Sequence, residues 1–187
     1  PEVIKDLTLL SLKLFGKKPT ALRKKNGTIL SWSNSRLVEM LQQLEIGKAS
    51  KEKVVPSAVM VASRKVAANF LSALFEGNGS ISKSYVTFSS KSKKLIEQVQ
   101  MLLLNFGIIT RRESWETKKY GIFYKLYLVG KESRVKFLED VGFVSTIKQR
   151  KLEKLVQRRF ASERIYLPNQ VELLQVLYPF TKNNAKE

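Results

Sequence analysis

The sequence predicts an α/β fold of the α+β kind, in which helices alternate with antiparallel hairpins. Three features lead to this expectation. Apolar residues recur at helical spacing in several segments, and the spacing switches to a period of two on both sides of short polar turns. The second part of the chain then reads helix, two strands, helix, two strands, helix.

The elements follow in order. Residues 3–14 carry apolar side chains at positions 3, 4, 7, 10 and 14, a helical pattern closed by Phe15-Gly16, with Gly16 in the position that follows a helix C-cap. Residues 20–33 read as a hairpin around Asn26-Gly27, the favoured pair for a type I′ turn. Ser35 is placed to cap a helix through Leu44. Residues 47–57 form a basic linker closed by Pro56, and Ser63 is placed to cap a long helix that ends in Gly77-Asn78-Gly79. Beyond it, Ile81, Val86 and Phe88 alternate with Tyr85, Thr87 and Ser89 as strands require. Lys93–Phe106 is a helix with Leu95, Ile96, Val99, Leu102 and Leu103 on one face, closed by Gly107. Ile108–Trp115 and Tyr120–Val129 make a second hairpin, followed by helices over Lys131–Val141 and Thr146–Phe160 and a short one over Val171–Leu177.

Composition narrows the chemistry. The 187 residues hold 34 Lys+Arg against 16 Asp+Glu, a net charge of +18, which favours a polyanionic partner, nucleic acid above all. With 43% hydrophobic residues the chain has enough apolar material for a packed core. It has no Cys and no His, so disulfides, thiolate or imidazole metal sites and His general bases are excluded. Any metal is then a hard, oxygen-ligated cation, with Mg²⁺ the default. No apolar run reaches the roughly 18 to 20 residues of a membrane span and no signal peptide is visible, so an intracellular, cytoplasmic setting is expected. A chain that opens on Pro1 is expected to be a fragment or a processed piece.

A weak internal repeat organises the rest. Leu14-Phe15-Gly16 matches Asn105-Phe106-Gly107 at an offset of 91, and each is followed by a basic hairpin. Val38-Glu39-Met40-Leu41 matches Val135-Lys136-Phe137-Leu138 at an offset of 97, and a lysine follows each copy, Lys53 and Lys148.

Leu71 to Gly79 reads LSALFEGNG. It resembles the LAGLIDADG motif of the homing endonucleases, of the two-motif (DOD-type) kind found in inteins and archaeal introns. Lys53-Val54-Val55-Pro56 resembles the family's Lys-x-x-Pro block, and Val141-Gly142-Phe143 with Lys148 its Gly-Phe-to-Lys block. The resemblance covers about residues 1–155. It implies αββαββα repeats with a saddle-shaped antiparallel sheet. Residues 1–60 would be the C-terminal part of a first repeat that lacks its motif helix, 61–155 a second repeat, and 156–187 a tail.

The resemblance also implies a site. Ala73 and Gly77, four apart on one helix face, would let a second motif helix approach closely, from an upstream repeat or from a homodimer partner. An acid at each helix tip would hold Mg²⁺ against the scissile phosphates, where metal ions activate water and stabilise the leaving oxygen. Here the acid is replaced by Asn78, with the carbonyl of Gly77 beside it; Asn is also an ordinary residue for a helix C-terminus. Glu76 reads as a solvated or helix-end carboxylate. Lys148 and Lys53 match positions that assist near the phosphate. Arg23, Lys24 and Lys25 on the first hairpin, Lys83 at the turn after the motif, and Arg111, Arg112, Lys118, Lys119 and Tyr127 on the second are the expected DNA contacts, with Arg or Lys reading guanine edges in the major groove. Arg158 and Arg159 read as solvated helix charge. The expected activity is site-specific binding of double-stranded DNA and Mg²⁺-dependent cleavage of both strands, compromised by Asn78. The alternatives are a non-cleaving binder on the same scaffold, an intron RNA maturase or a transcription regulator, and a ribosome-associated structural protein.

Overall fold

The computed structural model describes residues 2–158 except Asn26 and Lys48. The predicted helix over Val171–Leu177, Arg159 and the rest of the tail lie outside the described residues. The elements are α1 (Glu2–Phe15), β1 (Thr20–Lys24), β2 (Gly27–Ser31), α2 (Ser35–Gln43), α3 (Ser57–Met60), α4 (Arg64–Asn78), β3 (Gly79–Ile81), β4 (Val86–Ser90), α5 (Lys93–Asn105), β5 (Thr110–Thr117), β6 (Gly121–Leu128), α6 (Gly130–Asp140) and α7 (Thr146–Gln157). From α4 to α6 the order is αββαββα. The strands form two antiparallel sheets, β1-β2 alone and a four-stranded sheet in the order β3-β4-β6-β5.

Local chemistry explains most boundaries. Ser92 caps α5, its hydroxyl accepting from the Leu95 amide at 3.1 Å, and Ser145 caps α7 in the same way towards Lys148. Two expected caps differ. Asn34, not Ser35, caps α2, because its side chain accepts from the Leu37 amide at 3.3 Å while Ser35 is already helical. Ser63 precedes α4 as expected but makes no side-chain cap bond. Two helices end alike. Gly16 after α1 and Gly107 after α5 both take a left-handed conformation, with φ of 64° and 70°. Glycine reaches that region at little cost.

One core holds the four-stranded sheet and its helices together. It runs from Val55 to Leu155 and includes the five α5 residues read from the sequence, together with Leu71, Phe75, Val86, Phe88, Leu126, Leu128, Phe137 and Phe143. Phe75 is its hub. Its ring lies 5.1 Å from Phe88, 4.8 Å from Phe137 and 6.4 Å from Phe143, so one side chain ties α4 to the sheet, α6 and the following loop. The N-terminal segment is different. Leu9, Leu10 and Leu14 of α1 are each more than half exposed (56%, 52% and 60%), and Leu22, Ile29 and Val38 are exposed too.

The two glycines of the motif have opposite surroundings. A Cβ at Gly79 would collide with the Phe75 carbonyl, whereas one at Gly77 would meet nothing within 4 Å. Gly79→Ala is therefore expected to destabilise the chain by about 1–3 kcal/mol. Gly77→Ala, inside a helix, is expected to leave stability unchanged or raise it by up to about 1 kcal/mol. Urea unfolding of the two variants beside the parent measures both.

Candidate functional site

The site is built around the C-terminal end of α4. That helix buries Ala67, Leu71 and Phe75 on one side and leaves Val66, Asn69, Ala73 and Gly77 exposed on the other. The two expected interface residues, Ala73 and Gly77, thus share a small-residue stripe that nothing covers among the described residues. Asn78 is the last helical residue, is exposed, and donates from Nδ2 to the Ser89 carbonyl at 3.3 Å. The chain passes directly into β3, which pairs with β4 through Gly79↔Phe88 and Ile81↔Val86.

The last carbonyls of a helix have no partner within it and carry the negative end of its dipole. Here Lys148 takes them. Its Nζ donates to the carbonyls of Glu76 at 2.5 Å and Gly79 at 3.0 Å, with Phe75 at 3.5 Å, and lies 5.5 Å from the centre of the Phe143 ring. The Glu76 carboxylate, 14% exposed, accepts from the Ser145 amide at 3.1 Å and stands 3.8 Å from Lys148 Nζ. Of the two readings from sequence, a solvated or a helix-end carboxylate, Glu76 is the second: it lies near the end of α4 and accepts from the N-cap amide of α7. Lys53 reaches the same end of the sheet by its backbone, since its carbonyl accepts from Ser92 Oγ at 2.6 Å; its side chain is exposed. Val55, two residues on in that block, is buried and its amide donates to the Gln98 side chain.

The four-stranded sheet presents a second set of groups. Alternation places Arg111, Glu113 and Trp115 of β5 opposite Tyr127, Lys125 and Phe123 of β6, and Thr87 and Ser89 of β4 continue that face. Leu126, Phe88 and Arg112 share the opposite face, where the helices pack. The exposed face is a ladder of rings and cations. Trp115 stacks on Phe123 at 5.4 Å, Tyr85 meets Tyr127 edge-on at 5.7 Å, Arg111 lies 4.8 Å over Tyr127, and Lys125 lies 4.9 Å over Trp115. Lys91 adds a cation over Phe123 at 5.1 Å. Burial, then the hydrogen bond and charge of Glu113, raise the Tyr127 phenol above its ordinary pKa of 10.0, so it stays a neutral donor.

The predicted residues therefore separate. Arg111 and Tyr127 lie together on the exposed face, and Arg111 is paired with Glu113. Arg112 turns to the helices and bonds Glu97 of α5 at 2.9 Å. Lys118 and Lys119 sit in the β5–β6 turn, Lys83 in the β3–β4 turn, and Arg23, Lys24 and Lys25 on the separate first hairpin. Sequence reasoning missed Lys91, Lys125, Tyr85 and Phe123. A period-two reading of residues 123, 125 and 127 finds Phe123 and Lys125, whereas Lys91 needs the fold.

An α4 tip that runs straight into a four-stranded antiparallel sheet, with a cationic and aromatic face on one side and helices on the other, defines an α/β domain of the αββαββα kind. Comparison makes it particular. The LAGLIDADG-like domain family matches residues 65–142, the segment that holds the LSALFEGNG stretch. The fold is that of the homing endonuclease I-DmoI. A structure of its mesophilic variants superimposes with a TM-score of 0.56 at 16% identity, covering 75% of this chain and 65% of that one. A variant of I-DmoI in complex with its target DNA in the presence of Mn superimposes with a TM-score of 0.57 at 15% identity, covering 80% and 73%. Among sequences, a probable translation initiation factor IF-2 of Methanocaldococcus jannaschii is 26% identical over 95% of this chain, and a DNA gyrase subunit of Mycolicibacterium flavescens is 35% identical over 65%. The chain spans only 16% and 21% of those two proteins. No helix among the described residues is long and apolar enough to cross a membrane.

The phenol gives a direct check. In a pH titration followed by tyrosine absorbance or NMR, Tyr127 is expected to ionise above 10, and Glu113→Gln is expected to move it down towards 10, since the carboxylate's charge and hydrogen bond both hold the phenol neutral.

Proposed function

We propose that this chain is the DNA-binding unit of a LAGLIDADG homing endonuclease of the kind carried within inteins, and that in this form it binds a long double-stranded site without cutting both strands. The observation that carries the reading is the cation-and-ring ladder on the exposed sheet face, which starts beside the α4 tip. An antiparallel sheet fits the major groove of B-DNA, where Arg111 can read a guanine edge and the aromatic side chains can meet thymine methyl groups. The net charge of +18 supplies the phosphate contacts. The I-DmoI structures with target DNA support the same partner. The intein setting is supported by relatives of unrelated function, an initiation factor and a gyrase, of which the shared segment is a minor part.

The exposed stripe of Ala73 and Gly77 supports pairing with a second motif helix, from an upstream repeat or a second copy. Residues 1–60 then act as the last part of a first repeat and 61–155 as a second one; the exposed leucines of α1 are in keeping with that division.

Mg²⁺ does not fit the tip as it stands. The tip offers the Asn78 amide and the Gly77 carbonyl, while the one nearby carboxylate, Glu76, is turned to α7 and the Lys148 ammonium already sits on the neighbouring carbonyls. Among the described residues no three acidic side chains gather into a metal-holding group. A small hard cation needs charged oxygens to displace its water. The second reading, a non-cleaving RNA binder of the maturase type, is favoured by one feature: exposed rings such as Trp115 and Tyr85 can stack on unpaired bases. Competition between duplex DNA and folded RNA decides between the two.

Duplex binding measured by fluorescence anisotropy is expected to weaken about 10³- to 10⁵-fold between 50 and 200 mM salt, for roughly six to ten phosphates neutralised. A flat response would sink the DNA reading. On a site selected from random duplexes, Arg111→Ala is expected to relax preference at one base pair by about 1–3 kcal/mol, whereas Arg112→Ala leaves base preference unchanged.

Asn78→Asp is expected to give the chain measurable Mg²⁺ affinity by calorimetry and, with a second motif helix supplied, cleavage of both strands. Complete double-strand cutting by the Asn78 form would show that charge at this position is dispensable.

A further inference from the structure

We propose that α7 is a second nucleic-acid contact, a rail for phosphates that runs beside the base-reading sheet face; the inference rests on the DNA-binding reading above. The placement of α7 comes first. Its N-terminus is fixed at the α4 tip by Glu76 and Lys148. Its C-terminal end is fixed at the β3–β4 turn, where Arg158 Nη1 donates to the Lys83 carbonyl at 3.0 Å. A helix held at both ends of β3 lies along that strand, and β3 is an edge of the four-stranded sheet. Over its twelve residues it extends about 18 Å from the tip outwards.

Its outer face is cationic. Leu152 and Leu155 are buried in the core, and Lys151 and Lys154 are exposed beside them. With Lys83 and Arg158 they line a cleft of about 360 Å³ floored by Ile81 and Leu155. Among the described residues none of these four cations pairs with a carboxylate. Lys151 and Lys154 are three apart and Lys154 and Arg158 four apart, spacings at which like charges repel on a helix. The negative end of the helix dipole favours a cation near the last turn, which accounts for Lys154. It does not account for Lys83, which comes from a different element and turns the same cleft into a four-cation site. Such a cleft is suited to an anion with several charges in a row, and a phosphodiester backbone passing the sheet edge supplies it. From sequence Arg158 is only a solvated charge; its bond to the turn is what brings the four together.

The test compares two double variants of the full chain. Lys151→Gln with Lys154→Gln removes two rail cations, and Lys5→Gln with Lys13→Gln removes two exposed cations of α1. Both pairs lie on exposed faces, and thermal melting checks that both variants stay folded. Duplex affinity is measured against salt on the selected site and on random DNA. The rail variant is expected to bind both duplexes more weakly by the same factor, with a slope of log K against log salt shallower by about 1.8, or 0.9 per phosphate lost. The α1 variant is expected to keep the parent slope. An unchanged slope in the rail variant, or an equal change in the α1 variant, overturns the rail while leaving the sheet reading intact. A parent that binds no duplex at all overturns the DNA reading itself, and the rail with it.

Discussion

The closure of the C-terminal end of α4 is the constraint on which the rest of the site depends. A helix that ends inside a domain leaves carbonyls that need donors, and its dipole makes a cation the best one. Lys148 supplies that cation from α7, and Glu76 in turn accepts from the amide of Ser145, the N-cap of α7. Each helix thereby satisfies the other's terminus. The joint fixes where Asn78 stands, where β3 begins and which way α7 leaves. Phe75, one turn back, locks the same end into the core through three aromatic neighbours. Truncating such a side chain typically costs about 3–5 kcal/mol, so the tip is held by packing as firmly as by charge.

The sheet divides labour by its pleat. Neighbouring residues of β5 face opposite ways, so Arg111 joins the ring ladder while Arg112 reaches back to Glu97 on α5. Arg111 is further steadied by Glu113 and by Tyr127. Burial first, and then the same Glu113, push the Tyr127 phenol above its ordinary pKa. A carboxylate inside a cationic face thus orders its neighbours rather than merely diluting their charge.

The two halves of the chain use the same α-β-β-α order with different consequences. In the second, α5 covers the sheet and its apolar stripe is buried. In the first, leucines of α1 and the outer faces of β1 and β2 stay exposed, and β1-β2 makes a sheet by itself. The small residues Ala73 and Gly77 of α4 are exposed as well.

Much of this was legible in the sequence because it is local. Periodicity gave the helices and strands and named the buried face of α5, residue for residue. Gly16 and Gly107 marked matching helix ends, because only a left-handed residue turns the chain there cheaply. The LSALFEGNG stretch carried the family, since small residues and a hydrophobic hub at fixed spacing leave a recognisable signature. Cap choice was less legible: Asn34 and Ser35 are both good caps, and only the backbone conformation decides which stands outside the helix. What tertiary structure alone decided were the partners of charged side chains. Lys148 could have met solvent, phosphate or carbonyl, Glu76 solvent or amide, and Arg112 either face of a strand whose register the sequence does not state. Long charged side chains reach several partners at similar cost, so their choice is set by what folding brings within hydrogen-bonding distance.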